Sequence, residues 1–235
     1  MNEVISQLTA RVSSMSAPEQ VYFINRIFGN TFGTNLSSSI IDQTMNIYDE
    51  VDEFKQDGLW VNNKKEMVDA IGDLLTFGYG VAYLHGVDIS KVQSIPTTSS
   101  NMNNAEAIDS VVNLTDVFID EFKQKRVIDE SYAKLMGMIK YLCIINDVDE
   151  QVLMTRITNS NLTKICSTFD ECQETINNYV NKGIEVYSKY FEIEGSWIHV
   201  VYSSKEQKDN AGKVYRANKF LKCIHFKEPV LDDLV

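Results

Sequence analysis

Few of the commoner signatures of chemistry occur in this chain of 235 residues. It has no Gly-rich P-loop and no HExxH, and no Ser-His-Asp order stands out. His85, His199 and His225 are isolated, and a lone His is usually a packed or surface residue rather than a general base. The four cysteines (Cys143, Cys166, Cys172 and Cys223) show neither CxxC spacing nor a nearby His pair. They read as reduced, buried thiols rather than zinc ligands. No apolar run reaches membrane-spanning length, and the N-terminus lacks a basic-then-apolar signal pattern. The expectation is a soluble, cytoplasmic protein with no membrane partner. Positive charge is scarce, with 22 Lys and Arg against 33 Asp and Glu and a formal charge of −11. The basic patch that a nucleic-acid polymer requires is missing. A single nucleotide is not excluded, because its phosphates can be held through a metal.

Apolar periodicity is plentiful. Residues 19–28, opened by Ser16-Ala17-Pro18, predict a short helix with Pro in its first turn. A second pattern runs from about Ser38 to Gly86, with Gly58 as the expected end of its first arm, so an antiparallel helical hairpin is the natural reading. Residues 91–104 are polar with one Pro and predict a loop or linker. Helical patterns resume at 105–125, 129–146 and 149–166. Beyond Gly183 the pattern predicts short strands at 186–193, 197–202, 214–215 and 222–226. Glu194-Gly195 and Asp209-Asn210-Ala211-Gly212 are the turns between them. The fold class is therefore mainly α, a helical bundle with a small C-terminal β element. The expected division is a helical core over 1–166, with an insert at about 90–130, and a C-terminal extension over 167–235.

The hairpin carries the most informative residues. Glu50 and Glu53 sit three apart on its first arm, Glu66 and Asp69 three apart on its second, and Asp73 one turn further on. At about 100° per residue, Glu66, Asp69 and Asp73 share a sector roughly 60° wide, beside the apolar face of Met67, Ile71, Leu74, Leu75, Gly78 and Ala82. Carboxylates on two facing arms suit an octahedral, oxygen-ligated divalent cation such as Mg²⁺, with Mn²⁺ as an alternative. The same residues also suit the solvated faces of an acidic protein.

The pattern Glu50-x-x-Glu53, twelve residues, Glu66-x-x-Asp69 resembles the metal-binding signature of the all-α NTP pyrophosphohydrolases, a superfamily that includes MazG-like enzymes, dimeric dUTPases and phosphoribosyl-ATP pyrophosphohydrolases. Ser160-Asn161-Leu162-Thr163-Lys164 is similar to the Ser-Asn-Met-Ser-Lys box of phage-type MazG-like proteins, and Gly212-Lys213-Val214 to the Gly-Lys-Val segment that follows there. The likeness covers residues 18–86 and 147–165, and the tail only loosely. It implies hydrolysis of a nucleoside triphosphate to monophosphate and pyrophosphate. Glu50, Glu53, Glu66 and Asp69 then take the Mg²⁺-ligand positions, and Asp73 is an added member. Glu53 is the residue expected nearest the attacking water. Asn161, Lys164, Lys213 and Tyr215 are the expected substrate contacts, within a basic stretch that also holds Arg216, Lys219 and Lys222. The phage-type resemblance also suits a virus-encoded protein acting in the host cytoplasm.

Gly78 and Gly80 on the second arm predict close helix packing, and its broad apolar surface predicts a homodimer or tetramer. Trp60, just after Gly58, either stacks on a base or covers the core. Two other functions compete with the first. One is phosphoribosyl-ATP hydrolysis, although such domains are usually shorter. The other is a non-catalytic helical interaction module.

Overall fold

The computed structural model describes residues 3–34, 37–123, 129–193 and 195–235. Its helices are α1 (Glu3–Val12), α2 (Ala17–Ile27), α3 (Ser37–Glu53), α4 (Lys64–His85), α5 (Ile89–Gln93), α6 (Asn104–Lys123), α7 (Asp129–Ile145), α8 (Glu150–Leu162) and α9 (Phe169–Asn181), with a π-helical turn at Phe54–Leu59. The strands are β1 (Val186–Ile193), β2 (Ser196–Ser203), β3 (Gln207–Lys208) and β4 (Val214–Tyr215), paired as two antiparallel two-stranded sheets. The fold is thus mainly α with a small C-terminal β element. Among the described residues, no helix is long and apolar enough to cross a membrane.

The chain divides into two compact units. The helical unit comprises Met15–Asn25, Asn30–Ile157 and Val230–Val235, and the second comprises Met1–Ser14, Arg26–Gly29 and Thr158–Pro229. The division therefore falls within α8, earlier than the boundary expected at 166, and the last residues return to the helical unit. Leu231 is 1% exposed in its core, Arg156 pairs with Asp233 at 2.6 Å, and Lys65 pairs with Asp232 at 2.8 Å.

In the helical unit, Ile40, Thr44, Ile47, Val51 and Phe54 are buried at the spacing of one helix face. The first arm does not end at Gly58. The π turn carries the chain through Leu59, and Asn62 makes the reversal at φ 55°. Asn63 then caps α4, its side-chain oxygen accepting the Glu66 N–H at 3.4 Å. Gly58 serves close approach instead. A Cβ there would lie 2.5 Å from Met67 Cγ and 3.0 Å from the Met67 backbone nitrogen, so the two arms meet backbone to backbone.

α4 buries apolar side chains around most of its circumference, including Val68, Ile71, Leu74, Leu75, Tyr79 and Val81. The covering comes from within the chain. α3 packs on one side, Met136 of α7 lies against Gly78, and Ile157 of α8 lies against Gly72. α6 and α7 complete a four-helix arrangement, α6 contributing Ala107, Ile108, Val111 and Phe118 to the core. The stretch expected as an insert thus supplies a core helix, and Gly78 and Gly80 pack against this chain's own Met136 and Gln43 rather than a partner's. The polar stretch before α6 begins inside α5, and the rest is held along α7. Lys140 donates to the Ile95 carbonyl at 3.1 Å, and Tyr141 to the Ser100 carbonyl at 2.8 Å.

In the second unit, β1 and β2 pair over their whole length, from Val186 opposite Ser203 to Ile193 opposite Ser196. β4 pairs with β3, and the turn between them is closed by Asp209, whose carboxylate accepts the N–H groups of Ala211 at 3.0 Å and Lys213 at 2.9 Å. The strand expected at 222–226 does not form. Phe220 makes one bridge to Tyr202, and the chain turns at Ile224 and His225. Helices α1 and α9 were not anticipated. α9 has a legible start, since Thr168 caps the Glu171 N–H at 3.1 Å while Glu171 accepts from the Ser167 N–H at 2.7 Å. Residues 124–125 of the expected 105–125 helix and Glu194 of the expected turn lie outside the described residues.

Candidate functional site

A helical hairpin with a short turn brings the end of its first arm beside the start of its second. Carboxylates at 50 and 53 therefore meet those at 66, 69 and 73. Glu53, Glu66 and Asp69 each offer an oxygen lying within 4.8 Å of the others. Oxygens around one Mg²⁺, at about 2.1 Å from the ion, are separated by roughly 3–4 Å. Small side-chain rotations bring the trio to that spacing, so the residues present fit a divalent cation.

Glu50 and Asp73 extend the cluster inward. Burial pushes Glu50 up to about 9, with Asp73, Glu53, Asp49 and Asp69 adding to the rise. Four negative neighbours around a largely desolvated carboxyl favour its neutral form unless a cation balances them. On α4, buried over most of its length, Glu66, Asp69 and Asp73 stay partly exposed along one line that continues to Thr76 and Phe77. Lys65 stands four residues before Asp69, and its ammonium is engaged by Asp232.

The expected substrate contacts lie in the second unit, whereas the carboxylates lie in the helical unit. Asn161 is 7% exposed at the end of α8, and its carbonyl accepts the Lys164 N–H at 3.0 Å. The Lys164 ammonium sits over Phe220 at 5.4 Å and Phe226 at 5.6 Å. Lys213 is exposed in its turn. Tyr215 is a core residue at 8% exposure, its ring edge-on to Tyr179 and its hydroxyl on Asp209, so little of it faces outward. Within the basic stretch, Lys222 pairs with Glu228 at 2.8 Å and lies over Phe226 at 4.0 Å. Trp60 is 71% exposed and does not cover the core. His85 meets Phe122 edge-on, and His199 lies between Phe169 and Tyr190.

The chain is similar to an uncharacterized protein of Acanthamoeba polyphaga mimivirus, at 28% identity over 90% of this chain and 92% of that protein. No family model matches the chain, and no solved structure matches it.

Proposed function

We propose that the chain is a Mg²⁺-dependent nucleoside triphosphate pyrophosphohydrolase of the MazG-like kind. It would convert a dNTP to the monophosphate and pyrophosphate. The observation that carries this reading is the convergence of Glu53, Glu66 and Asp69 from two arms of one hairpin. Glu50, Glu53, Glu66, Asp69 and Asp73 would hold the cation, with Mn²⁺ able to replace Mg²⁺. The bound cation would neutralise phosphate charge and polarise the α-phosphate. Glu53 would orient the attacking water and accept its proton, while Glu66 and Asp69 would help hold the cation. In-line displacement by water is mainly a matter of positioning and charge balance; these residues would supply the positioning and the cation they hold the charge balance.

Substrate contacts by Asn161, Lys164, Lys213 and Tyr215 belong to the same proposal. The exposure of Lys213 supports its part, and the burial of Tyr215 leaves that residue mainly its hydroxyl edge. Self-association rests on the family resemblance, since α4 is already covered within the chain. The similarity to a mimivirus protein supports a virus-encoded chain, whose place of action would be the host cytoplasm.

The test is a panel of ribo- and deoxyribonucleoside triphosphates with Mg²⁺, the products separated by chromatography. Equal amounts of monophosphate and pyrophosphate are expected from at least one dNTP. Inorganic phosphate without pyrophosphate would remove the assigned reaction, and no product from any nucleotide would remove the enzyme.

A further inference from the structure

Three of the four cysteines gather in the core of the second unit. Cys166 follows α8, Cys172 lies in α9 and Cys223 in the C-terminal segment, and they are 0%, 2% and 4% exposed. Thr175, fully buried, is the hub. Its hydroxyl donates to the Glu171 carbonyl at 2.8 Å and accepts the Ile224 N–H at 3.2 Å. The same oxygen lies 3.4 Å from Cys166 Sγ and 3.6 Å from Cys223 Sγ. Both sulfurs therefore lie against one hydroxyl oxygen. Backbone bonds hold the two segments in place beside them, Cys223 N–H to the Lys164 carbonyl at 3.2 Å and Cys166 N–H to the His199 carbonyl at 2.8 Å.

The pair is chemically unequal. The neighbouring Cys166 thiol lowers Cys223, while Cys223 and burial push Cys166 up. A lowered thiol supplies the thiolate, which is the form that attacks peroxides and disulfides. Cys143 is the contrast. It is buried in the helical unit, where burial and then Glu150 and Asp149 push it up to about 12.

We propose that Cys166 and Cys223 are a disulfide-forming pair, closed by a hydroperoxide, that ties the turn after α8 to the C-terminal segment. The Cys223 thiolate attacks the peroxide O–O bond, becoming a sulfenic acid and releasing hydroxide. Cys166 gives its proton to that hydroxide, and its sulfur then displaces the sulfenic oxygen from Cys223 as a second hydroxide, which takes up the proton that Cys223 released on forming its thiolate. Two thiols are oxidised by two electrons, and hydrogen peroxide is reduced to two waters. The bond fixes Lys164 and Lys222, which share the Phe226 ring, in one arrangement. A thiol reductant reverses it. Cys172, in the same buried cluster, is the competing partner.

The test uses the full-length protein and hydrogen peroxide, followed by unfolding, alkylation, digestion and mass spectrometry. A peptide joining Cys166 to Cys223 is expected, formed at least about tenfold faster than Cys143 is oxidised, and lost on treatment with dithiothreitol. Cys172→Ser should keep the link and Cys223→Ser should lose it. If Cys223→Ser fails to fold, the map of the wild-type protein and that of Cys172→Ser still decide. Full alkylation of Cys166 and Cys223 after peroxide would overturn the proposal, as would a link through Cys172, a link between chains, or oxidation that stops at sulfinic acid.

Discussion

The carboxylate cluster of the helical unit and the thiol cluster of the second unit gather like groups by opposite means. Glu53, Glu66 and Asp69 meet because a short turn forces two helix ends together, and their charges repel, so they remain at a partly wet surface. Cys166, Cys172 and Cys223 meet through contacts between segments distant in sequence. Their side chains are small and polarizable and are almost fully buried, with Cys166 and Cys223 around Thr175. The first cluster opposes folding, and the proposed cation would offset that cost, whereas the second adds to packing and is the proposed site of oxidation. Charge thus selects a local, exposed site and polarizability a buried, long-range one.

The largest effect that bears on this contrast is catalytic. Glu53→Gln and Asp69→Asn conserve shape and remove charge, so each should lower turnover at least about a hundredfold with an unchanged circular dichroism spectrum. Turnover at the wild-type rate in both variants would eliminate the metal site.

Next come the contacts that position the hairpin. Ala at position 58 would ordinarily gain about 1 kcal/mol in a helix. Here its Cβ meets the Met67 backbone at 3.0 Å, which cannot retreat as a side-chain tip can. Gly58→Ala should therefore destabilise by about 2 kcal/mol in denaturant unfolding. An equally stable variant would show that the arms separate freely. Leu231→Ala should cost about 2–3 kcal/mol, because the side chain is buried in the helical unit. The same burial means that a truncation after Lys208 removes an anchor of the helical unit, so substitutions test the tail more cleanly than deletion does.

A smaller effect carries the opposite sign. Glu50 must take up a proton on folding at neutral pH, because its folded value lies well above the free one. Glu50→Gln is neutral without it, so the variant should raise the stability of the metal-free chain by about 1 kcal/mol, seen as a melting temperature about 2–4 °C higher. Added Mg²⁺ should stabilise the wild type more than this variant. A melting temperature that falls in the metal-free variant would show that Glu50 has a structural partner of its own.

Local features were the legible ones. Carboxylate spacing, the apolar faces of α3 and α4, the turn at Gly212 and most helix bounds follow from residues close in sequence. Gly58 has the look of a terminator, yet Asn62 and Asn63 make the reversal after α3. α9 has one legible mark, the capping signal Thr168-x-x-Glu171. The role of α6 in the core was hidden by the polar stretch before it, whose carbonyls are held by Lys140 and Tyr141. The thiol cluster has no local signature, since its three members come from separate elements.

The most direct measurement of the central claim is hydrolysis of the preferred dNTP with Mg²⁺ in isotopically heavy-oxygen water, read by mass spectrometry. Attack at the α-phosphorus puts one heavy oxygen in the nucleoside monophosphate and none in the pyrophosphate, and Asp69→Asn should abolish both products. Label in the pyrophosphate, label in free phosphate, or undiminished turnover by Asp69→Asn would contradict the account.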